Sequence, residues 1–267
     1  MSAIRVVVSG AVGRMGQAVV RAVSSAGDME LVGAYDRSSD FASTGTLLGA
    51  GVTDVAITNK LGALLDEVEA DVLVDFTHLS GAADHALSAM KRKVAPIIGT
   101  SGLGREDVRA IQMGTEDFHT PALIAPNFAI GAVLLTKFAE MSAKYFPAAE
   151  VIELHHTGKL DAPSGTASHT AELIAAARTG EPELPRQAVE KVAGARGGKV
   201  KNVPVHSVRL PGFVASQEVI FGGAGERLTL RHDSLDRESF MPGVLLAIRE
   251  VRSLTGLTVG LEHLLLR

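Results

Sequence analysis

Residues 153–167 read ELHHTGKLDAPSGTA, and within them stand two adjacent histidines, a lysine, an aspartate and a Ser-Gly-Thr turn. Histidine, with an ordinary pKa near 6.5, gives or takes a proton close to neutrality. His155 and His156 follow an apolar run that reads as a strand, so their side chains diverge rather than share one ligand. Lys159 can hold a negative group or depress a neighbour's pKa. Pro163 and the SGT turn precede a helical pattern, TASHTAELIAAA. Ser164, Gly165 and Thr166 therefore offer N–H groups and hydroxyls at a helix start, which suits a carboxylate. Asp161 braces the loop or orients a histidine. Three plainer readings compete. A metal site lacks a second histidine at i+3 or i+4, and the chain has no cysteine. Ser164 is not on the G-x-S-x-G elbow expected of a nucleophile. Helix capping by SGT is real, but it leaves the two histidines and the lysine unexplained.

A second group of residues lies at the front. GAVGRMG sets Gly10, Gly13 and Gly16 between the β-branched run IRVVV and an amphipathic segment. A dinucleotide pyrophosphate needs backbone N–H groups at a helix start and no side chain in its way. Val12 interrupts the strict G-x-G-x-x-G pattern. Asp36, twenty residues beyond Gly16 and at the end of the second strand, is placed to meet the adenine-ribose hydroxyls. Arg37 beside it suits a 2′-phosphate, so NADH and NADPH are both admitted. Two further turns, GTSG (99–102) and APNF (125–128), follow apolar runs and stand where the nicotinamide end should arrive. Among the other histidines, His78 after LVDFT is the one expected nearest the cofactor.

The elements that must position these residues follow from the hydrophobic pattern. Short β-branched runs at 4–8, 30–35, 71–76, 95–99 and 122–126 alternate with helical stretches near 60–69, 80–92 and 104–118. That rhythm predicts an α/β fold, a parallel sheet covered on both faces. A long apolar helix over 129–145 then leads to the strand AEVIEL, and three β-rich runs between 204 and 231 read as antiparallel strands. In PGVLLAIREVRSL, Val244, Ile248 and Val251 share one helical face. Residues 179–202 are polar with Gly and Pro near both ends and read as a mobile excursion. We expect a dinucleotide-binding domain over 1–126, completed by 236–267, and a substrate domain over 127–235. With 267 residues, 46% hydrophobic, the chain can bury a sizeable core. Its net charge of −4 comes from mixed residues without a basic stripe, which argues against nucleic acid. No apolar run approaches the ~20 residues that span a bilayer. A cytoplasmic protein is expected.

These motifs together resemble one family, dihydrodipicolinate reductase, also called 4-hydroxy-tetrahydrodipicolinate reductase. ELHHTGKLDAPSGTA is similar to its signature, and GAVGRMG, GTSG, APNF, HSVRLPG and RHDSLDRESFMPGVLLA match in order along nearly the whole chain. The resemblance implies a Rossmann-type doubly wound parallel sheet plus a second α+β domain, with a mixed or antiparallel sheet, that builds a homotetramer. It implies reduction of the heterocyclic product of dihydrodipicolinate synthase by NADH or NADPH, in the diaminopimelate route to lysine. His155 would then be the acid/base, Lys159 its partner donor, and His156 with Gly165 and Thr166 the carboxylate binders. Gly10, Ala11, Val12, Gly13, Arg14 and Met15 would hold the pyrophosphate, and Asp36 with Arg37 the adenosine ribose. Gly99, Thr100, Ser101, Ala125, Pro126, Asn127 and Phe128 would line the nicotinamide. Other two-domain nicotinamide enzymes, such as an amino-acid dehydrogenase, or a module that merely senses the NAD(P)H ratio, would share the front half. Neither needs HHTGKLDAPSGT.

Overall fold

The computed structural model describes residues 2–37, 41–100, 102–180 and 189–266. The first elements are β1 (Ile4–Ser9), α1 (Arg14–Ser25), β2 (Met29–Tyr35), α2 (Thr44–Leu48), β3 (Ile57–Thr58), α3 (Leu61–Glu67), β4 (Val72–Asp75), α4 (Leu79–Met90), β5 (Ala95–Ile98), α5 (Arg105–Asp117) and β6 (Ala122–Ile124). Then come α6 (Ile130–Ser142), β7 (Ala148–His155), α7 (Gly165–Ala177), β8 (Gly198–Val200), β9 (Val203–Arg209), β10 (Ala215–Gly223) and β11 (Glu226–Ser234). The last are α8 (Met241–Glu250), β12 (Leu257–Val259) and α9 (Glu262–Leu265).

Two compact units result, one of residues 1–128 with 240–267 and one of residues 129–239. In the first, seven strands run in the order β12-β6-β5-β4-β1-β2-β3. Every pairing is parallel. A parallel sheet must be covered on both sides, and its central strands are accordingly apolar throughout: Val6, Val7 and Val8 of β1 and Val72, Leu73 and Val74 of β4 are fully buried. The buried stripe Gly16, Val19, Val20 and Val23 seats α1 on the sheet, beside the apolar face of α8, where Val244 and Ile248 are fully buried. The opposite layer is α3, α4 and α5. The direction of strand succession reverses between β1 and β4, so the turn after β1 opens at the switch point of the sheet. Pairing of β12 with β6 completes the sheet with residues from the far end of the chain.

The second unit is a five-stranded sheet, β11-β10-β7-β9-β8, with α6 and α7 on one face. Here one expectation is corrected. The runs after residue 202 are not all antiparallel, because β9 pairs parallel to β7, while β10 is antiparallel to β7 and to β11. The sheet is mixed because α7 lies between β7 and β9 in the chain and supplies the crossover that a parallel pair requires. Along β7 burial alternates, so that Ala149, Val151 and Glu153 face the helices beside Val205, Val219 and Phe221. Of the expected excursion over 179–202, residues 181–188 lie outside the described residues; 198–200 form β8. His155, expected just beyond a strand, is the last residue of β7.

Candidate functional site

In the first unit the chemistry gathers at the carboxyl ends of β1, β4, β5 and β6. Gly10 sits at φ +82°, and a Cβ there would lie 2.8 Å from the Phe76 carbonyl oxygen. A Cβ on Gly16 would lie 2.0 Å from the Gly10 carbonyl oxygen. Both positions therefore need glycine, the first for backbone conformation and the second for close approach of α1 to the turn. Gly13 is the N-cap of α1 and carries no side-chain cap. The first-turn N–H groups of a helix find no partner inside it, and here they belong to Arg14, Met15 and Gly16. Val12 keeps its side chain half-buried while its N–H donates to Asp36 Oδ2 at 3.0 Å. The interruption in the glycine pattern thus leaves the backbone path intact, tied down by the acid at the end of the second strand. Arg37 is exposed next to it.

Beneath this turn lies a carboxylate that sequence reasoning missed. Asp75, the last residue of β4, is fully buried. Its Oδ2 accepts from Ser9 Oγ at 2.8 Å and bonds His85 Nδ1 at 2.8 Å. Its Oδ1 accepts from Thr77 N at 3.0 Å, Thr77 Oγ1 at 2.7 Å and Thr100 Oγ1 at 3.1 Å. Burial pushes this carboxyl up, yet the hydrogen bonds from His85, Thr77 and Ser9 outweigh it and hold the group below the usual carboxylate range. Asp75 thereby fastens three strand ends together, including Thr100 of the expected nicotinamide turn. Gly99 adjoins Thr100, while Ser101 lies outside the described residues. Ala125 and Phe128 are buried and Pro126 is exposed; the Phe128 ring meets Phe76 with centroids 5.5 Å apart. Asn127, next to Phe128 in the chain, is half-buried. His78 is the N-cap of α4, accepting from Ser80 N at 3.3 Å. The signal for Asp75 was present: an acid closing the apolar run DVLVD has no reason to be there unless it is satisfied.

In the second unit the quoted stretch folds into a β7–turn–α7 connection. His155 and His156 do diverge: the His155 side chain is only 13% exposed, while His156 lies in solvent. His155 Nδ1 is hydrogen-bonded to Glu153 Oε2, and Glu153 is completely buried. Arg209 at the end of β9 grips the same carboxylate with both arms, Nη1 to Oε2 at 2.9 Å and Nη2 to Oε1 at 2.8 Å. Burial pushes Glu153 up, but the hydrogen bonds from Arg209, Ser207 and His155 hold it below its ordinary value. Burial lowers the pKa of His155, with Glu153 opposing and Lys159 and Arg209 adding to the fall.

Lys159 Nζ donates to both oxygens of Asp161, at 2.8 and 3.1 Å, and Arg209 Nη2 donates to the Asp161 carbonyl oxygen at 2.6 Å. Asp161 therefore braces the loop and does not touch a histidine through any of these bonds. Ser164 is the N-cap of α7: its buried hydroxyl accepts from Ala167 N at 3.2 Å. That leaves the backbone N–H groups at Gly165 and Thr166 as the donors of this helix start. Open space fronts Gly165, with nothing within 4 Å of the position a Cβ would take. His155, Lys159, Gly165 and Thr166 thus belong to one connection that presents an imidazole, an amine and a helix start with open space in front of it. Glu153 and Arg209 were the residues that sequence reasoning left without a role. An acid on the inward face of an alternating strand, and an arginine within HSVRLPG, were the available signals.

Among the described residues no cluster of three or more His, Asp or Glu side chains could hold a metal ion, and no helix is long and apolar enough to cross a membrane.

Comparison with known proteins places this geometry in context. The sequence model described as dihydrodipicolinate reductase, N-terminus, matches residues 4–128, and that described as dihydrodipicolinate reductase, C-terminus, matches residues 131–265. A 4-hydroxy-tetrahydrodipicolinate reductase of Moorella thermoacetica is 48% identical over 265 residues, covering 99% of each chain. One from Desulfitobacterium hafniense is 48% identical over 266 residues, covering 99% of this chain and 100% of the other. Among solved structures, a dipicolinate-bound dihydrodipicolinate reductase from Paenisporosarcina sp. TG-14 superposes with a TM-score of 0.87 at 40% identity, covering 98% of this chain and 99% of that one.

Proposed function

The chain belongs to the dihydrodipicolinate reductase family, and on that premise we propose that it reduces 4-hydroxy-tetrahydrodipicolinate or its dehydrated form to tetrahydrodipicolinate, as a 4-hydroxy-tetrahydrodipicolinate reductase of lysine biosynthesis. NADH or NADPH is the reductant, and when bound it supplies the hydride. The turn Gly10–Met15 fits its pyrophosphate: Gly10 at φ +82° lets the chain turn and Gly16 lets α1 pack close against it, which sets the uncapped start of the helix at the switch point. Asp36 and Arg37 take the adenosine ribose, and Gly99–Ser101 with Ala125–Phe128 line the nicotinamide.

The second unit binds the heterocycle. One ring carboxylate takes the N–H groups of Gly165 and Thr166 at the start of α7, a helix of 13 residues whose dipole favours an anion. Lys159 supplies positive charge and His156 an imidazole to the other polar edge, so the ring is oriented by groups already in place. As hydride arrives, negative charge develops on the conjugated imine, and a proton from the His155/Lys159 pair neutralises it. The observation that carries this reading is the convergence of His155, Lys159 and the bare α7 start on one connection. The dipicolinate bound in the Paenisporosarcina enzyme supports a dicarboxylate heterocycle as ligand. The family also favours a homotetramer in the cytoplasm.

The decisive measurement mixes the protein with NADPH or NADH and the condensation product of dihydrodipicolinate synthase, and follows nicotinamide absorbance. Oxidation of the nucleotide is expected. In His155→Ala and Lys159→Ala, kcat should fall by about 10²–10⁴-fold with nucleotide affinity unchanged. Full turnover in both variants would remove the assignment.

A further inference from the structure

Glu153 is an ionisable group, with no exposed surface, inside the helix-facing layer of the sheet. Such a carboxylate is expensive unless every oxygen is engaged. Its oxygens meet the fork of Arg209 at 2.8 and 2.9 Å and the imidazole of His155. Arg209 then reaches on to the Asp161 carbonyl at 2.6 Å, on the turn whose Asp161 carboxylate holds Lys159 at 2.8 Å. One buried ion pair therefore touches the residue carrying each of the two proton carriers or its partner. We propose that Glu153, clamped by Arg209, is the positioning residue of proton delivery: it fixes His155 with its proton on Nδ1, while Arg209 sets the Lys159–Asp161 turn in register with it.

The chemistry follows from the inventory of donors. A carboxylate held ionised by a bidentate guanidinium can only accept, so His155 Nδ1 must carry hydrogen. The nitrogen left to exchange a proton with a ligand is Nε2. A neighbouring anion also favours the imidazolium, the form that donates. The charged groups acting on His155 are Glu153 on its own strand, which raises its pKa, and Arg209 on β9 with Lys159 in the following turn, which lower it. The neighbour across on β10 is Ala215, which does not titrate.

This inference rests on the reading of His155 as the proton donor, and the experiments separate the two. In Glu153→Gln the counter-charge is gone. We expect kcat to fall by about 10²-fold with the KM for the heterocycle little changed, and the His155-dependent limb of the kcat/KM profile to move to lower pH. Glu153→Asp keeps the charge and should keep that limb near its original pH. A folded Glu153→Gln enzyme with wild-type kcat and an unmoved limb would overturn the inference. If His155→Ala retained full activity, the reading of the site itself would fail instead. Should Glu153→Gln not fold, the wild-type chain decides: ¹⁵N spectra of histidine-labelled protein above the His155 titration should show the proton on Nδ1. A proton on Nε2 would end the proposal.

Discussion

Burial at His155 works against the form of the imidazole that donates a proton. With its pKa lowered below the ordinary 6.5, the free protein holds less imidazolium as pH rises through that depressed value. A dianionic heterocycle adds negative charge beside the ring and pushes the pKa back up. The expected outcome is a kcat/KM profile that falls with rising pH at a lower pH than the kcat profile does, since the first reports the free protein and the second the complex. Coincident limbs would show that bound substrate leaves His155 electrostatically untouched. The same residue shows what the sequence could and could not tell. The histidine pair and Lys159 were legible as chemistry because their types are informative on sight. Glu153 was hidden because a single inward-facing acid in a strand takes its meaning from Arg209, 56 residues away in the chain.

At the scale of elements, the α1 start and the β7–β9 pair make separate predictions. In Gly16→Ala the new Cβ would meet the Gly10 carbonyl at 2.0 Å, so α1 must move off the turn. We expect a loss of about 1–3 kcal/mol in stability, typical of overpacking, and weakened nucleotide binding in a fluorescence titration, while His155→Ala keeps wild-type nucleotide affinity. Arg209→Met would strand the fully buried Glu153 without its counter-ion. Breaking such a pair from one side costs about 3–5 kcal/mol, which urea unfolding would measure. Hydrophobic periodicity revealed β1, β2, β4, β5 and β6 within a residue or two, since a parallel core writes itself as apolar runs. It missed β3, of two residues, and β12, of three, because runs that short carry no period. The parallel direction of β9 was equally invisible: a strand's pattern records which face is buried, not which way its partner runs.

Among the described residues of the whole molecule, each unit hides one anchored carboxylate, Asp75 in the first and Glu153 in the second. Both are held below their ordinary pKa. The folded state then binds fewer protons than the unfolded chain in the carboxylate range, so the stability they confer is complete above about pH 4–5 and is lost as pH falls through their depressed values. His155 and His232, both lowered by burial, act in the same sense at a higher pH. Their neutral forms are favoured on folding, and that contribution declines as pH drops below 6.5 toward their depressed values. Thermal unfolding followed from pH 7 to pH 3 should therefore show a gentle decline and then a steep one, with Asp75→Asn flattening part of the second. A midpoint independent of pH would contradict the hydrogen-bond assignments at Asp75 and Glu153.

The pairing of β12 with β6 carries a consequence for biosynthesis. Residues 129–239 must all emerge from the ribosome before the seventh strand can join the sheet begun at residue 4. Until then β6 is a bare margin with unmatched peptide groups, the kind of border that recruits strands from other chains. The nascent protein therefore spends the translation time of the entire inserted unit with its nucleotide fold unfinished, and that interval is when it most needs shielding from its neighbours.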